Sequence, residues 1–480
     1  MSSLIRRLPT IDNVRFWLLS IFLFKLFLFV IMTFEIHANR GGIQGIFASE
    51  GDTFGYFNPI RNWVDGLGYG APCRMPGLLP IFAPLYFFFD NFWAQNIFVL
   101  LQLFCSSISI YLLGLISRFY IPKINPVIVV FLYLIGPFLV LYDNYGLSDS
   151  FSISFVIFGI YFFTRFLSEK ITTKKIVFLL LSSLFLVWSF FIRQLGILAY
   201  GAFGLYFLIQ LIRTQNIQYI KYGLLYLFIA VTAVSVWWGR NVKSSYAETT
   251  LVAPIYECFD SYPEYQTILR KLPIAWGGRF TLWGEEAEWF LRDRMKEEDF
   301  PFSSRIYASA YNYDSLLFLR RASLRLYYEK EMLTTIEQEN IKQYIIQSST
   351  KYLACYKKEK PLDYYFVNRL ILLKKFIFTK GVKLPFPTLN EMTLIEKAYK
   401  VFGILFTIFI IISGLIGSLL FLDKRNIYLN IFIWLFVFVI AIYFGWIEFR
   451  YWATIYPVLV LFSAKLITSS FDFFLNKKEK

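Results

Sequence analysis

The sequence predicts an all-α polytopic membrane protein, on three observations. The chain has 480 residues, of which 57% are hydrophobic and 21% aromatic. Apolar runs of about 18 residues or more recur along it, and an α-helix of that length crosses about 30 Å of hydrocarbon. The positive residues, which give a net charge of +15, cluster in short loops beside these runs, as the positive-inside rule requires. These features disfavour a soluble α/β enzyme, and they make the positive charge an orientation signal rather than a surface for nucleic acid.

The first apolar run, residues 16–34, follows Arg6, Arg7 and Arg15. Positive residues before a span place the N-terminus in the cytoplasm, so the next loop, residues 35–75, is predicted to lie outside. Further spans are expected at about residues 93–117, 127–142, 151–167, 176–192, 195–212, 222–238, 401–422, 427–444 and 452–469. If these spans alternate, the remaining positive loops and the C-terminal tail all fall on the cytoplasmic side.

Residues 75–89 form a shorter apolar stretch that Pro80 and Pro84 interrupt. At about 15 residues it is too short to span, and proline breaks the ladder of backbone hydrogen bonds, so a half-depth or interfacial helix is favoured. The alternative is a complete crossing, in which case one short loop breaks the charge rule. The sequence therefore predicts about 10–11 transmembrane helices.

The composition changes between residues 239 and 400, where charges of both signs mix with many Tyr and Trp residues. This segment is too long to be a linker and too aromatic to be disordered, so it is predicted to fold as an extracytoplasmic domain. The expected organisation is an N-terminal transmembrane region at 1–238, the outer domain at 239–400, and a C-terminal transmembrane region at 401–480.

The outer loop contains an acid that a membrane does not require, Asp52, with Tyr56 four residues later. Asn58 and Pro59 have the sequence of a helix start and Gly66 that of a helix stop, which predicts a helix of about two turns lying on the membrane surface. Asp52 would then be held at the boundary between lipid and water. A carboxylate there can take the proton from an acceptor hydroxyl, the work of a general base. The ordinary interpretation is a solvated loop acid.

Cations that could bind a departing phosphate are predicted near the same boundary, since guanidinium groups bind phosphate bidentately. They are Arg74, Arg193, Arg240 and Arg450. A boundary arginine is also an ordinary membrane anchor, but Arg193 lies between two apolar runs on the predicted outer side, where the charge rule gives it no topological purpose.

Two further acids lie in predicted outer loops. Asp149 either contributes to substrate binding or caps the helix that is predicted to start at Phe151. Glu448 either joins the substrate-binding set or pairs with Arg450. The four cysteines and the single His37 have no spacing typical of a metal site, so neither a metal nor a cofactor is expected.

Several segments in a fixed order resemble the C-type glycosyltransferases, in particular the branch that includes bacterial lipid A aminoarabinose transferases and protein O-mannosyltransferases. They are the acid and tyrosine of the first loop, "IRNWVDGLGY", "RMPGLLP", "FIRQLGIL", "WWGRNV" and "EFRYWATIYPVLVLFSA". The resemblance implies a sugar donor on a polyprenyl phosphate, a glycan, lipid or protein acceptor, an active site at the extracytoplasmic face of the membrane, and Asp52 as the base.

The sequence departs from this family in two places. The family often has adjacent acids in the first loop, whereas Gly51 separates Glu50 from Asp52 here, and "YGLSDSF" stands where relatives often have a Thr-Glu or Leu-Asp pair. The rival prediction is a non-enzymatic carrier, or a polymerase-like protein, of lipid-linked glycans. A carrier needs charges along a path near the bilayer midplane, and the clearest charge at such a depth is Lys25.

Overall fold

A computed structural model describes residues 11–40, 44–49, 52–69, 75–122, 124–136, 141–243, 264–278, 302–378, 392–443, 445, 447 and 449–478. These residues are predominantly helical, and extended pairing among them is limited to single bridges such as that between Ala48 and Tyr145. The chain forms two compact units. We call the first, which comprises Met1–Glu248, Lys380–Leu435 and Arg450–Lys480, the membrane unit, and the second, which comprises Thr249–Thr379 and Phe436–Phe449, the second unit.

The helices of the membrane unit follow the order of the chain. They are α1 (Val14–Arg40), α2 (Thr53–Val64), α3 (Leu79–Phe88), α4 (Asn91–Tyr120), α5 (Pro126–Ile135), α6 (Asp149–Ser168), α7 (Thr172–Ile192), α8 (Gly196–Thr214) and α9 (Gln218–Lys243), followed after the second unit by the helices described below. Short 3-10 turns at Pro76–Leu78 and Leu141–Asp143 precede α3 and α6.

In the second unit the helices are α10 (Glu264–Ala275), α11 (Tyr313–Tyr328), α12 (Thr335–Glu359) and α13 (Asn368–Ile377). The chain then returns through α14 (Leu394–Leu420), α15 (Ile427–Val437) and α16 (Phe449–Lys478). A π-helical turn, Phe438–Tyr443, follows α15, and another, Asp363–Val367, precedes α13.

Eight helices in the described part of the chain are long and apolar enough to cross a membrane. They are Val14–Ala38, Asn91–Tyr120, Asp149–Ser168, Thr172–Ile192, Gly196–Thr214, Gln218–Arg240, Leu394–Leu420 and Arg450–Ser470. The prediction of an all-α, multi-pass integral membrane protein is therefore confirmed, because a single chain with this many long apolar helices can bury them only in lipid.

Three apolar helices are shorter, namely Pro76–Phe88, Pro126–Ile135 and Ile427–Tyr443. The first matches the stretch predicted to stop short of a full crossing. The second covers part of the span predicted at 127–142, and its α-helix ends at Gly136, whose ψ of 91° is extended; residues 137–140 of that span lie outside the described residues. Pro137 follows in the sequence, and a residue before proline is driven out of the α conformation. At 1.5 Å per residue this helix covers about half of the hydrocarbon thickness.

Close helix contacts in the membrane unit rest on small residues, which let backbones approach in a bilayer. A Cβ atom on Gly417 of α14 would lie 2.5 Å from the carbonyl oxygen of Phe462 in α16. Ser413 and Ser463 hydrogen-bond across the same pair of helices at 2.6 Å. The backbones of α14 and α16 therefore pack in direct contact.

The core of the second unit consists of aromatic and aliphatic side chains from α10, α11 and α12 and from residues that flank these helices, such as Trp276 and Tyr311. Asn368 at the start of α13 is fully buried and joins three segments. Its Nδ2 donates to the carbonyl of Ala275 at 2.9 Å and to the hydroxyl of Tyr356 at 2.7 Å, and its Oδ1 accepts from Arg305 at 3.0 Å. The predicted domain boundaries of 239–400 stay a prediction.

We expect Gly417→Ala to lower the thermal stability of the purified protein. The added methyl group meets a backbone oxygen that cannot move alone, and overpacking of this kind costs about 1–3 kcal/mol. Gly201→Ala in α8 is the matched control, because nothing lies within 4 Å of a Cβ there. The control should hold or gain stability through better helix propensity. The measurement is the temperature at which half of each variant remains monodisperse in detergent, and equal midpoints for the two variants would contradict the packing.

Candidate functional site

Asp52 stands at the N-cap position of α2, whose first residue is Thr53. The helix thus starts earlier than Asn58 and Pro59 predict, and Pro59 lies inside it. Packing explains the difference, since the Phe57 ring lies 4.1 Å from that of Phe82 and 5.0 Å from that of Phe98, centroid to centroid. Tertiary contacts of this kind outweigh a local start signal.

The predicted end of this helix agrees with the structure. Gly66 adopts a φ of +79°, in the left-handed region that favours glycine. The amide of Leu67 donates to the carbonyl of Asn62 at 2.8 Å, which closes the last turn. Asp52 is therefore placed by a well-defined helix at whose positive, N-terminal end its carboxylate lies.

Arg450 at the start of α16 is the cation beside Asp52. Its Nη1 donates to Asp52 Oδ2 at 2.8 Å, although 398 residues separate the two in sequence. The pair is accessible, because 31% of the Arg450 side chain and 33% of the Asp52 side chain are exposed. A substrate can therefore reach both members of this ion pair.

Asp149 and Arg193 form a second ion pair in the membrane unit. Arg193 Nη1 donates to Asp149 Oδ1, and the two side chains are only 10% and 3% exposed. Asp149 is the first residue of α6, after the N-cap residue Ser148. It makes no side-chain cap, so the structure does not give it the capping role considered from the sequence. Arg193 follows the last residue of α7, where the negative end of the helix favours a cation.

One aromatic side chain, that of Tyr451, connects the Asp52–Arg450 and Asp149–Arg193 pairs. The Tyr451 ring centroid lies 5.5 Å from the guanidinium carbon of Arg193 and 5.8 Å from that of Arg450. Both cations therefore lie within cation–π range of one ring. Burial, followed by the positive charge of Arg450, lowers the pKa of Arg193 below its ordinary value, so the two guanidinium groups influence each other electrostatically.

Tyr56 links α2 to the start of α6. It lies one turn after Asp52 in α2, and its hydroxyl accepts a hydrogen bond from Ser148 Oγ at 2.8 Å. Ser148 directly precedes Asp149. We call Asp52, Tyr56, Asp149, Arg193 and Arg450, with Ser148 and Tyr451, the paired-charge site.

Arg240 belongs to a separate set of contacts at the end of the first loop. Its Nη2 donates to the carbonyl of Tyr69, and its guanidinium carbon lies 5.7 Å from the Tyr69 ring and 5.0 Å from the Trp237 ring. These contacts fix the position of Tyr69 against α9. Two other predicted site residues, Arg74 and Glu448, lie outside the described residues.

A third ion pair lies deeper. Lys25 Nζ in α1 is 2.6 Å from Asp143 Oδ2, and both side chains are 3% exposed or less. Ser106 of α4 donates to Asp143 Oδ2 at 3.0 Å, and Ser150 of α6 donates to Asp143 Oδ1 at 2.5 Å. Each charge is thus both paired and hydrogen-bonded, as burial of an ion pair demands.

This deep pair holds the segment that precedes α6. Asn144 donates to Thr33 of α1 at 2.8 Å, and Gln102 of α4 donates to the carbonyls of Asp143 and Tyr145 at 3.0 Å each. Because Ser150 is the neighbour of Asp149 in α6, the deep pair also positions the Asp149–Arg193 pair.

Sequence reasoning did not identify Ser148, Tyr451 or Ser150 as part of a site. A single serine or tyrosine beside an acid carries no spacing signal, and these residues become informative only when α2, α6 and α16 meet. Lys25 did carry a signal, a lysine inside an apolar run, which by itself indicates a partner in the bilayer.

The paired-charge site can do two kinds of chemistry. A carboxylate that is about a third exposed, as Asp52 is, can accept a proton, and two guanidinium groups can bind an anion such as phosphate. Within the described residues no three His, Cys, Asp or Glu side chains come together to hold a metal ion. Comparison with known families and with curated proteins finds no family model and no curated protein that matches the chain.

We expect Lys25→Met to destabilise the protein strongly, because it leaves the Asp143 carboxylate buried without its cation. Breaking a buried pair from one side costs about 3–5 kcal/mol. In the double variant Lys25→Met/Asp143→Asn no charge remains, so the loss should be clearly smaller. Unfolding followed by tryptophan fluorescence in mixed micelles compares the free energies. A single variant as stable as the double variant would mean that Asp143 does not depend on Lys25.

Proposed function

We propose that the protein is an integral membrane glycosyltransferase that moves a sugar from a polyprenyl-phosphate donor to a hydroxyl of a glycan, lipid or protein acceptor at the extracytoplasmic face. The observation that supports this proposal is the paired-charge site, where α2, α6, α7 and α16 bring together Asp149 and four residues that the sequence resemblance includes, Asp52, Tyr56, Arg193 and Arg450. These residues combine a base with anion-binding groups, which is the combination that sugar transfer from a phosphate requires.

In the proposed reaction the acceptor hydroxyl gives its proton to the Asp52 carboxylate as its oxygen attacks the anomeric carbon of the donor. The bond between that carbon and the phosphate oxygen breaks, and the polyprenyl phosphate leaves with the bonding electrons. Attack opposite to the leaving group inverts the configuration at the anomeric carbon. Arg450 and Arg193 bind the developing phosphate charge, and Tyr56 positions the Asp52 helix against α6.

The Asp52–Arg450 pair suits the start of this reaction. A donor phosphate competes with Asp52 for the Arg450 guanidinium, since both are anions. Exchange of partners would place the phosphate on Arg450 and leave Asp52 available to the acceptor. The exposure of the pair makes the exchange inexpensive, because a partly solvated ion pair contributes little stability.

The rival proposal, a non-enzymatic carrier, needs charges along an open path through the bilayer. The deep charges Lys25 and Asp143 are almost fully buried and satisfied by Ser106 and Ser150, which favours a structural role for them. Mass spectrometry of glycans and lipids from a deletion strain and its parent separates the proposals. Loss of a transferase leaves an acceptor without its sugar. Loss of a carrier leaves finished lipid-linked glycan on the side of the membrane where it was made.

The topology proposed from the positive loops has both termini in the cytoplasm and residues 239–400 outside. This arrangement places the paired-charge site at the extracytoplasmic face. Labelling of engineered cysteines in intact cells with an impermeant reagent tests it, and labelling near Lys174 would refute it.

Asp52→Asn should reduce sugar transfer by at least about 100-fold, because general base catalysis contributes about 10²–10⁴-fold and an amide cannot accept the proton. The matched control is Asp65→Asn, an exposed acid at the other end of α2, which should keep parental turnover. Purified variants are given the same donor and acceptor, and donor affinity is measured separately. Near-parental turnover of Asp52→Asn would remove this residue from the mechanism.

Arg193→Lys should keep the charge beside Asp149 and lose the planar fork, so transfer should fall about tenfold or more, as expected when a charge-assisted hydrogen bond of about 1.5–3 kcal/mol is lost. Arg118→Lys is the control, since Arg118 also pairs with an acid, Asp12, but on an exposed surface. Thermal midpoints of both variants distinguish a folding defect from a binding defect. Unchanged donor affinity and turnover in Arg193→Lys would rule out bidentate recognition.

A further inference from the structure

One helix of the second unit has a continuous apolar face exposed to its surroundings. It runs through the π turn Asp363–Val367 into α13 without a break. Its exposed large side chains follow each other at helical spacing, and each is at least 53% exposed: Leu362, Tyr365, Phe366, Leu370 and Phe378. We call this set the apolar stripe. Five large exposed apolar side chains on one helix differ from singly scattered surface hydrophobes.

The opposite face of the same helix is buried in the second unit. Asn368, Leu372 and Phe376 are fully buried at a spacing of four residues, which places them on one side of the helix. Asn368 makes the hydrogen bonds to Ala275 and Tyr356 described above. The helix is therefore fixed in its rotation, and the apolar stripe cannot turn inward.

Helix α13 also contacts the end of an apolar helix. Arg369 Nη1 donates at 2.8 Å to the carbonyl of Ile442, in the π turn that ends the apolar helix Ile427–Tyr443. A Cβ on Gly445, just beyond that turn, would lie 3.5 Å from Leu372. α13 therefore packs, through Arg369 and Leu372, on the end of this apolar helix.

Positive charge surrounds the stripe. Residues 357–375 contain six Lys or Arg and two Asp or Glu side chains. Lys357 and Lys358 are exposed at the end of α12, and Lys374 is exposed between Leu370 and Phe378. A helix that lies in a membrane interface typically exposes Tyr, Phe and Leu on one face and carries lysines that can extend toward headgroups. This helix has that composition.

We propose that the apolar stripe is a lipid-binding surface, which inserts into the membrane interface and holds anionic lipid headgroups through Lys374 and the lysines of α12. The occupant is the bilayer rather than another protein, because the stripe combines exposed aromatic side chains with lysines whose charge is complementary to phosphate. The inference stands independently of the sugar-transfer reaction.

Photo-crosslinking tests the surface directly. The full chain carries p-benzoylphenylalanine in place of Phe366 and is reconstituted in nanodiscs of phosphatidylglycerol or phosphatidylcholine. The matched control carries the same group at Phe318 of α11, an aromatic residue of the second unit with nearly equal exposure, 61% against 63%. After irradiation, mass spectrometry of the intact protein measures lipid adducts at each site.

We expect several-fold more lipid adduct at position 366 than at position 318, with a further increase in phosphatidylglycerol that Lys374→Gln abolishes. The Lys374→Gln change lies on an exposed residue, so it should leave the elution profile and thermal midpoint unchanged. Lipid adducts at position 366 no more frequent than at position 318 would overturn the proposal. Crosslinks from position 366 to another part of the chain, or to a second copy, would overturn it as well.

Discussion

The cost of an unpaired charge in hydrocarbon is the constraint on which the arrangement of the membrane unit depends. An ionised side chain taken out of water without a partner costs several kcal/mol. Three carboxylates of the unit, Asp52, Asp143 and Asp149, meet cations that come from distant segments of the chain. The two buried pairs are satisfied only when their segments are in the right place, so they constrain how α1 meets the segment before α6 and how α6 meets the end of α7.

The three ion pairs differ in burial, and burial determines how easily each pair can be opened. The side chains of Lys25 and Asp143 are nearly inaccessible and carry additional serine hydrogen bonds, whereas about a third of the Asp52–Arg450 pair is exposed. A buried pair is expensive to open because both charges lose their compensation together. An exposed pair exchanges partners at little cost. The exposed pair is therefore the one that a molecule in solution could reach, and the buried pair holds its segments of the scaffold together.

The ends of the helices also stabilise these charges. Asp52 and Asp149 stand at the beginnings of α2 and α6, and Arg193 follows the end of α7. Carboxylates are favoured at the positive N-terminal end of a helix and cations at the negative C-terminal end. The helices thus support the charges that join them, and the ring of Tyr451 adds a cation–π contact to both arginines.

The sequence was sufficient for features that depend on local composition. Long apolar runs predicted the membrane helices because length and hydrophobicity alone decide whether a helix can span, and Gly66 predicted the end of α2 because only a flexible residue suits its φ. The start of α2 was wrong, since Phe57 packs on Phe82 and Phe98 from other helices.

Pairing could not be predicted in the same way. Asp52, which lies beside Arg450, is 398 residues away from it in the sequence. No local rule connects such residues, because the contact exists only after α2 and α16 have packed. What the sequence did contain was the list of charges without a topological purpose, such as Arg193 and Lys25.

A charged residue beside the apolar stripe shows that such charges are informative in the second unit as well. Arg369 is a cation whose partner is not an acid but the carbonyl of Ile442, at the end of an apolar helix where backbone acceptors lack intrahelical donors. By satisfying that acceptor, Arg369 joins the end of this apolar helix to α13, whose helix also presents the exposed Phe366 and Leu370. The same physical requirement, that every buried polar group has a partner, therefore governs both the paired-charge site and the surface that meets the bilayer.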